Sequence, residues 1–185
     1  MLDKMLIEHC SPTLGGLKTA SLFSCSFSSE EELDCTLSLW NSKLSSKGVS
    51  LYILSIKKER ALIYVCRTSL LEDALQKSDN QEFLKNYGYC QFEPCACIRK
   101  LTDRFSSSSD FPHEVGLFLG YPLEDVKGFV ENSGQNCKYT GCWKVYCNEW
   151  ETAKLFVKYK KCKEIFSKLF YNQARSVVQL TVAGS

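Results

Sequence analysis

The sequence predicts an α+β fold: a mixed, mainly antiparallel sheet of four or five strands with a ferredoxin-like start, packed helices, and a helical insertion at about 68–134 within a single domain of residues 1–185. Three observations predict it. Two continuous apolar runs, SLYILSI and RALIYVC, are joined by the charged turn KKER and read as neighbouring strands buried on both faces. A capped amphipathic segment precedes them and a strand-like segment precedes that, so the order strand, helix, strand, strand, helix opens a ferredoxin-like sandwich. From about 68 to 134 the chain then holds only helix-like segments and turns.

The elements follow in order. Ser11 and Pro12 read as an N-cap and a first-turn proline, which starts a short helix beside Cys10 and ends it at Gly15 and Gly16. Leu17 to Phe27 is apolar and hydroxyl-rich, a strand. Ser28 and Ser29 each stand three residues before a glutamate, a capping-box signature; Leu33, Leu37, Trp40 and Leu44 follow at helical spacing, and Gly48 closes the helix. After the two apolar runs, residues 69–77, 79–87 and 93–105 read as helices, and FSSSSD at 105–110 as a loop. GCWKVYC at 141–147 reads as a strand. A long helix from about 149 to 171 follows, with a seam of Leu155, Tyr159, Cys162, Phe166 and Leu169 and its KYKKCK lysines on the solvent side. SVVQLTVA reads as a final strand.

Within the insertion, FPHEVGLFLGYPLEDVKGF at 111–129 concentrates two prolines, three glycines and one of the chain's two histidines. Pro112, preceded by Asp110 or Phe111, starts a helix that stops at Gly120, and Pro122 starts a second that runs to about Asn132. The segment is a helical hairpin with a very short turn. Gly116, Gly120, Val126 and Phe129 fall near the small, turn and core positions of a helix-turn-helix. The second helix carries Glu124, Asp125 and Glu131 against Lys127 alone, and an acidic reading helix opposes the phosphate contacts that hold such modules to DNA.

Composition excludes further classes. A net charge of +2 announces neither a nucleic acid nor an anionic membrane. No apolar run approaches the roughly 20 residues needed to span a bilayer. Asp3 and Glu8 interrupt the apolar residues at the N-terminus, so it does not read as a signal peptide. A soluble, cytoplasmic protein is expected. Eleven cysteines, an odd number with no secretion signal, argue against a disulfide framework. The two cysteine clusters, Cys90, Cys95, Cys97 and Cys137, Cys142, Cys147, lack the C-x₂-C knuckle and a neighbouring histidine. No metal and no cofactor is expected, and the cysteines read as small apolar side chains in a reducing cytoplasm.

Candidate site residues are few. Cys10 at a helix start has its thiolate favoured by the helix dipole, and His113 distant in sequence supplies a base, with Glu114 to orient it. The bland reading of His113 is a structural hydrogen bond. Trp143 and Lys144 are adjacent on a strand, so one faces the core and the other a cleft or solvent. Lys144 and Arg67, each at a strand, offer an anion site, although a carboxylate partner is the commoner fate of such cations.

HCSPTLGGLKTASLF, YVCR, EFLKNYGY, FPHEVGLFLGYPLEDVKGF and GCWKVY, followed by the KYKKCK helix, resemble a bacterial family catalogued as domain of unknown function 3793. The resemblance runs from about Cys10 to the final segment. It implies a stand-alone soluble bacterial protein, mostly of anaerobes, with no established activity. Its motif positions point to Cys10, Lys18, Arg67, His113, Glu114, Tyr121, Asp125, Trp143 and Lys144. One position departs: the family pattern would read GYWKVY, and this chain has Cys142.

Two functional expectations follow. The first is a small-molecule-binding protein or enzyme whose site lies between sheet and insertion, with Cys10, His113 and Glu114 catalytic and Lys18, Arg67, Tyr121 and Lys144 holding an anion or ligand. The second is a non-catalytic interaction protein, an adaptor in redox or iron-linked metabolism, docking through the 111–134 hairpin on Phe118, Tyr121 and Phe129. Substrate, partner and oligomeric state are left open by the sequence.

Overall fold

A computed structural model of the chain describes residues 2–107 and 111–184. Strand β1 (Ala20–Ser26) is followed by helix α2 (Glu30–Leu44), a 3₁₀ turn (Ser45–Lys47), and strands β2 (Val49–Lys57) and β3 (Arg60–Arg67). β3 pairs antiparallel with both neighbours in the order β1-β3-β2, so β1 and β2 run parallel on either side of it with α2 connecting them. This is the split β-α-β arrangement of a ferredoxin-like start. Ser29 caps α2 by accepting from the Glu32 backbone N–H, and Gly48 ends the following turn in the left-handed region.

Period-two alternation along β3 divides the core. Ile63 and Val65 face one side, where helix α1 (Leu2–Leu14), α2, helix α8 (Glu149–Gln173) and the short helix α9 (Val177–Leu180) cover them with Leu6, Cys10, Leu37, Phe166 and Leu180. Tyr64 and Cys66 face the other side. There the insertion supplies α3 (Thr68–Leu75), α4 (Ser78–Lys85), α5 (Pro94–Ser107), α6 (Val115–Phe118) and α7 (Leu123–Glu131). Their Leu71, Leu84, Leu101 and Phe118 complete the second core layer. Each fully buried Leu or Phe contributes about 1.5–3 kcal/mol. β3 is buried on both faces, as its composition predicts; β2, at the sheet edge, buries Leu51 on one face and Leu54 on the other and leaves Ile56 exposed.

A third, smaller cluster of Trp143, Val145, Phe156 and Tyr159 lies where α8 meets a two-stranded ribbon, β4 (Tyr139–Thr140) and β5 (Lys144–Val145). The α+β class holds, but the sheet differs from the expected four or five mixed strands. Among the described residues it is a three-stranded antiparallel sheet with the separate ribbon.

Three element readings are corrected. The first helix does not start at Cys10: α1 runs through Ser11 with Pro12 in its last turn, because Leu2, Leu6, Ile7, Cys10 and Leu14 form a buried helical stripe that outweighs the Ser-Pro start signal. The final segment is not a strand. Ser176 and Gln179 form a reciprocal capping box that fixes α9 despite the β-branched residues there. The 141–147 strand is reduced to Lys144–Val145, because the next two backbone N–H groups turn onto the Asp125 carboxylate instead of a neighbouring strand. Helix α5 runs to Ser107, into the segment expected as a loop at 105–110; residues 108–110, and Asp110 as a helix start, lie outside the described residues.

Candidate functional site

The helical hairpin and the β4–β5 ribbon build the site. Gly120 takes φ +81°, which lets the chain turn between α6 and α7, and a Cβ there would meet Thr19 Oγ1 at 2.5 Å. Gly116 lets the two helices close: a Cβ would stand 2.8 Å from Val126. The unusual composition of 111–129 is therefore the price of a close hairpin. Arg104 of α5 holds its first turn through an ion pair with the fully buried Glu114, and Tyr89 donates a 3.4 Å hydrogen bond to the same carboxylate. Beside that carboxylate the Tyr89 hydroxyl is pushed far up, burial contributing most.

Asp125 joins hairpin to ribbon. It is 2% exposed and makes no ion pair among the described residues; Oδ2 accepts from the Trp143 indole N–H at 2.8 Å, and Oδ1 accepts from the backbone N–H groups of Tyr146 (2.7 Å) and Cys147 (3.0 Å). The neighbouring Cys147 thiol is pushed up to about 11 by burial and by this carboxylate. Trp143, thus fixed, stacks on Tyr121 at 4.4 Å and meets the Phe156 edge at 4.5 Å. Gly128 admits the Tyr146 ring, which would lie 2.5 Å from a Cβ.

Between hairpin and ribbon lies a cavity of about 340 Å³. Val115, Leu119, Val126, Phe129 and Trp143 form its apolar wall, with Tyr121 and Cys142 at one side and Phe111, His113 and Lys144 at another. The His113 ring lies 5.0 Å from Phe129 and 5.9 Å from Phe111. Lys144 Nζ donates to the Gly134 carbonyl at 2.5 Å and stands 5.9 Å from the Phe129 ring centre. Behind Tyr121, Lys18 Nζ sits 5.4 Å from the ring centre. Burial holds its amine below the ordinary lysine range, with the Cys142 and Cys10 thiols pulling the other way. Burial raises the Cys142 thiol and Lys18 opposes it. Burial pushes the Tyr121 hydroxyl up to about 12, so it stays a neutral donor.

The family described as a protein of unknown function (DUF3793) matches residues 6–181. The chain belongs to that family. No curated protein and no solved structure matches it. The residues that the resemblance pointed to fall into distinct places. His113, Tyr121, Asp125, Trp143 and Lys144 line one cavity. Trp143 is the buried member of its adjacent pair, and Lys144 reaches the cleft.

The other candidates are elsewhere. Cys10 is 0% exposed in the core layer under α1, and burial pushes its thiol up to about 12. It lies in the last turns of α1, so the expected help from a helix N-terminus is absent and the thiol is held protonated. Glu114 does not orient His113; its carboxylate is engaged by Arg104 and Tyr89. Arg67 is no anion site. Its guanidinium is buried and donates to the carbonyls of Thr13 (2.6 Å), Leu14 (2.5 Å), Val182 (2.8 Å) and Lys47 (3.4 Å). Phe118, expected as a docking anchor, is 0% exposed and packs on Tyr89 at 5.7 Å.

Sequence reading missed Phe111, Leu119 and Cys142 as wall residues. The bend at residues 141–143 brings Cys142 and Trp143 to the same cavity. Among the described residues, no group of three or more His, Cys, Asp or Glu side chains is placed to hold a metal ion, and no helix is long and apolar enough to cross a membrane.

Proposed function

We propose that the protein binds a small molecule in the cavity between the 111–131 hairpin and the β4–β5 ribbon. One observation carries the reading: His113, Tyr121 and Lys144, singled out in the sequence for chemistry rather than packing, line one largely apolar cavity of about 340 Å³. That size falls in the range of ligand sites, and a few polar groups converging on an apolar wall is their usual make-up. Any chemistry at the site belongs to His113, Tyr121 and Lys144, and Cys10 takes no part in it.

A bacterial cytoplasm is part of the same proposal. Cys10, Cys25, Cys66, Cys97 and Cys162 are buried among apolar residues, the use of cysteine that suits a reducing compartment.

The test is a ligand-observed NMR screen of small aromatic fragments against the wild type and Leu119→Trp, a substitution that fills the cavity. Fragments that bind the wild type should lose binding in the variant. Hits shared equally by the two proteins, or no hits at all, would count against a ligand site here.

A further inference from the structure

Resting on that cavity as a binding site, we propose that its ligand is an organic anion: a planar apolar body carrying one carboxylate-like group, seated with the anion at Lys144 and His113. Three side chains on the wall can carry charge: Asp125, His113 and Lys144. Asp125 already accepts from three N–H donors of the protein, so its oxygens have no call on a ligand cation. Lys144 has three N–H donors and uses one, on the Gly134 carbonyl. Among the described residues it makes no ion pair. Neither ring nitrogen of His113 has a hydrogen-bond partner among the described residues, and its ring contacts are with Phe111 and Phe129 alone. At least one imidazole N–H is therefore available in any protonation state.

Lys18 adds to the field from behind Tyr121. It too lacks an acidic partner among the described residues, and its nearest titratable neighbours are thiols and a phenol, all raised and neutral at pH 7. The wall thus carries Lys144 and His113 with open donors, while its one carboxylate is turned onto three protein N–H groups. A cation would have to compete with those three donors for the Asp125 oxygens. A neutral apolar ligand would leave the Lys144 donors without partners once water is expelled, which is the costly outcome for a polar group.

The rest of the wall sets the body. Phe129 and Trp143 offer ring faces, and Val115, Leu119 and Val126 fill the remaining wall. The volume equals about eleven waters at ~30 Å³ each, room for a ligand of about a dozen non-hydrogen atoms. A fused or substituted aromatic acid matches that size, that wall and that charge.

The experiment is isothermal titration of the wild type with 2-naphthoate and, separately, with naphthalene-2-carboxamide, which has the same ring system and size but no charge. Naphthoate is expected to bind with 1:1 stoichiometry about 10-fold more tightly than the amide, the ratio for one charge-assisted hydrogen bond. Lys144→Gln should remove most of that ratio by weakening naphthoate and leaving the amide unchanged. Raising salt from 50 to 500 mM on the wild-type protein should weaken naphthoate alone, which tests the charge even if the variant folds poorly. If both probes bind equally and neither responds to salt or to Lys144→Gln, the anion inference is overturned while the cavity remains a ligand site. If neither probe binds, the ligand-site reading itself fails.

Discussion

Arg67 and Lys144 are both cations on strands, yet the protein uses them in opposite ways. Arg67, the last residue of β3, directs its guanidinium to four backbone carbonyls, from the end of α1, from the 3₁₀ turn and from the C-terminal segment. Thr13, Leu14 and Lys47 also accept backbone N–H groups from Gly16, Val182 and Gly184, so the cation adds a charged second donor at the negative end of α1 and ties three distant segments together. Lys144, on β5, holds one carbonyl and faces a cavity. A charged residue is read as structural when its donors are filled by the protein, and as a ligand contact when they are open beside a cavity. The same distinction separates Glu114, engaged by Arg104 and Tyr89, from His113 next to it.

That contrast can be broken in order of expected effect. Arg67→Met should cost about 3 kcal/mol in urea unfolding, since it removes the charged hydrogen bonds that join α1, the 3₁₀ turn and the C-terminal segment; a loss below 1 kcal/mol would remove Arg67 from the architecture. Asp125→Ala should cost about 3 kcal/mol, because one buried and two part-buried N–H groups lose a charged acceptor, and it should red-shift Trp143 fluorescence as the indole is released. Unchanged emission would show that the carboxylate does not hold the indole.

Cys10 sharpens the comparison through pH. Its thiol is raised to about 12 in the folded protein against about 9 for an ordinary thiol, so between these values the folded state binds more protons than the unfolded one. Its contribution to stability therefore falls as pH rises, by about 1.6 kcal/mol from pH 9 to 10.5, the slope approaching ~1.4 kcal/mol per unit once the unfolded thiol is ionised. Cys10→Ala should flatten the decline by about that amount, measured as unfolding free energy at the two pH values. An unchanged decline would mean that the thiol is not buried as described. The smallest effect belongs to Lys144→Gln, which should change stability by less than about 1 kcal/mol; a loss as large as that of Arg67→Met would make Lys144 structural too and erase the distinction.

Much of the fold was legible. β2 and β3 announce themselves because strands buried on both faces read as unbroken apolar runs, and Ser29 and Gly48 mark the bounds of α2 and its closing turn. What misled was local chemistry read without its tertiary partner. Ser11-Pro12 resembles a helix start, but Pro12 sits in the last turn of α1, where the buried stripe from Leu2 to Leu14 carries the helix past it. Val177 and Val178 resemble a strand until the reciprocal Ser176–Gln179 cap is counted. Tyr146 and Cys147 fail to continue β5 because a carboxylate 21 and 22 residues earlier takes their N–H groups. In the site, His113, Tyr121 and Lys144 were legible by residue type. Cys10 and Arg67 were not separable from them, since burial and donor satisfaction are set by strand order and helix packing.

The most direct measurement is a ¹H–¹⁵N correlation map of the protein titrated with 2-naphthoate. The account predicts that the Trp143 indole N–H and the amides of His113, Tyr121 and Lys144 shift together with one saturating curve, while those of Thr13, Leu14 and Arg67 stay in place. Shifts centred on Thr13, Leu14 and Arg67, or spread evenly over the surface, would contradict it.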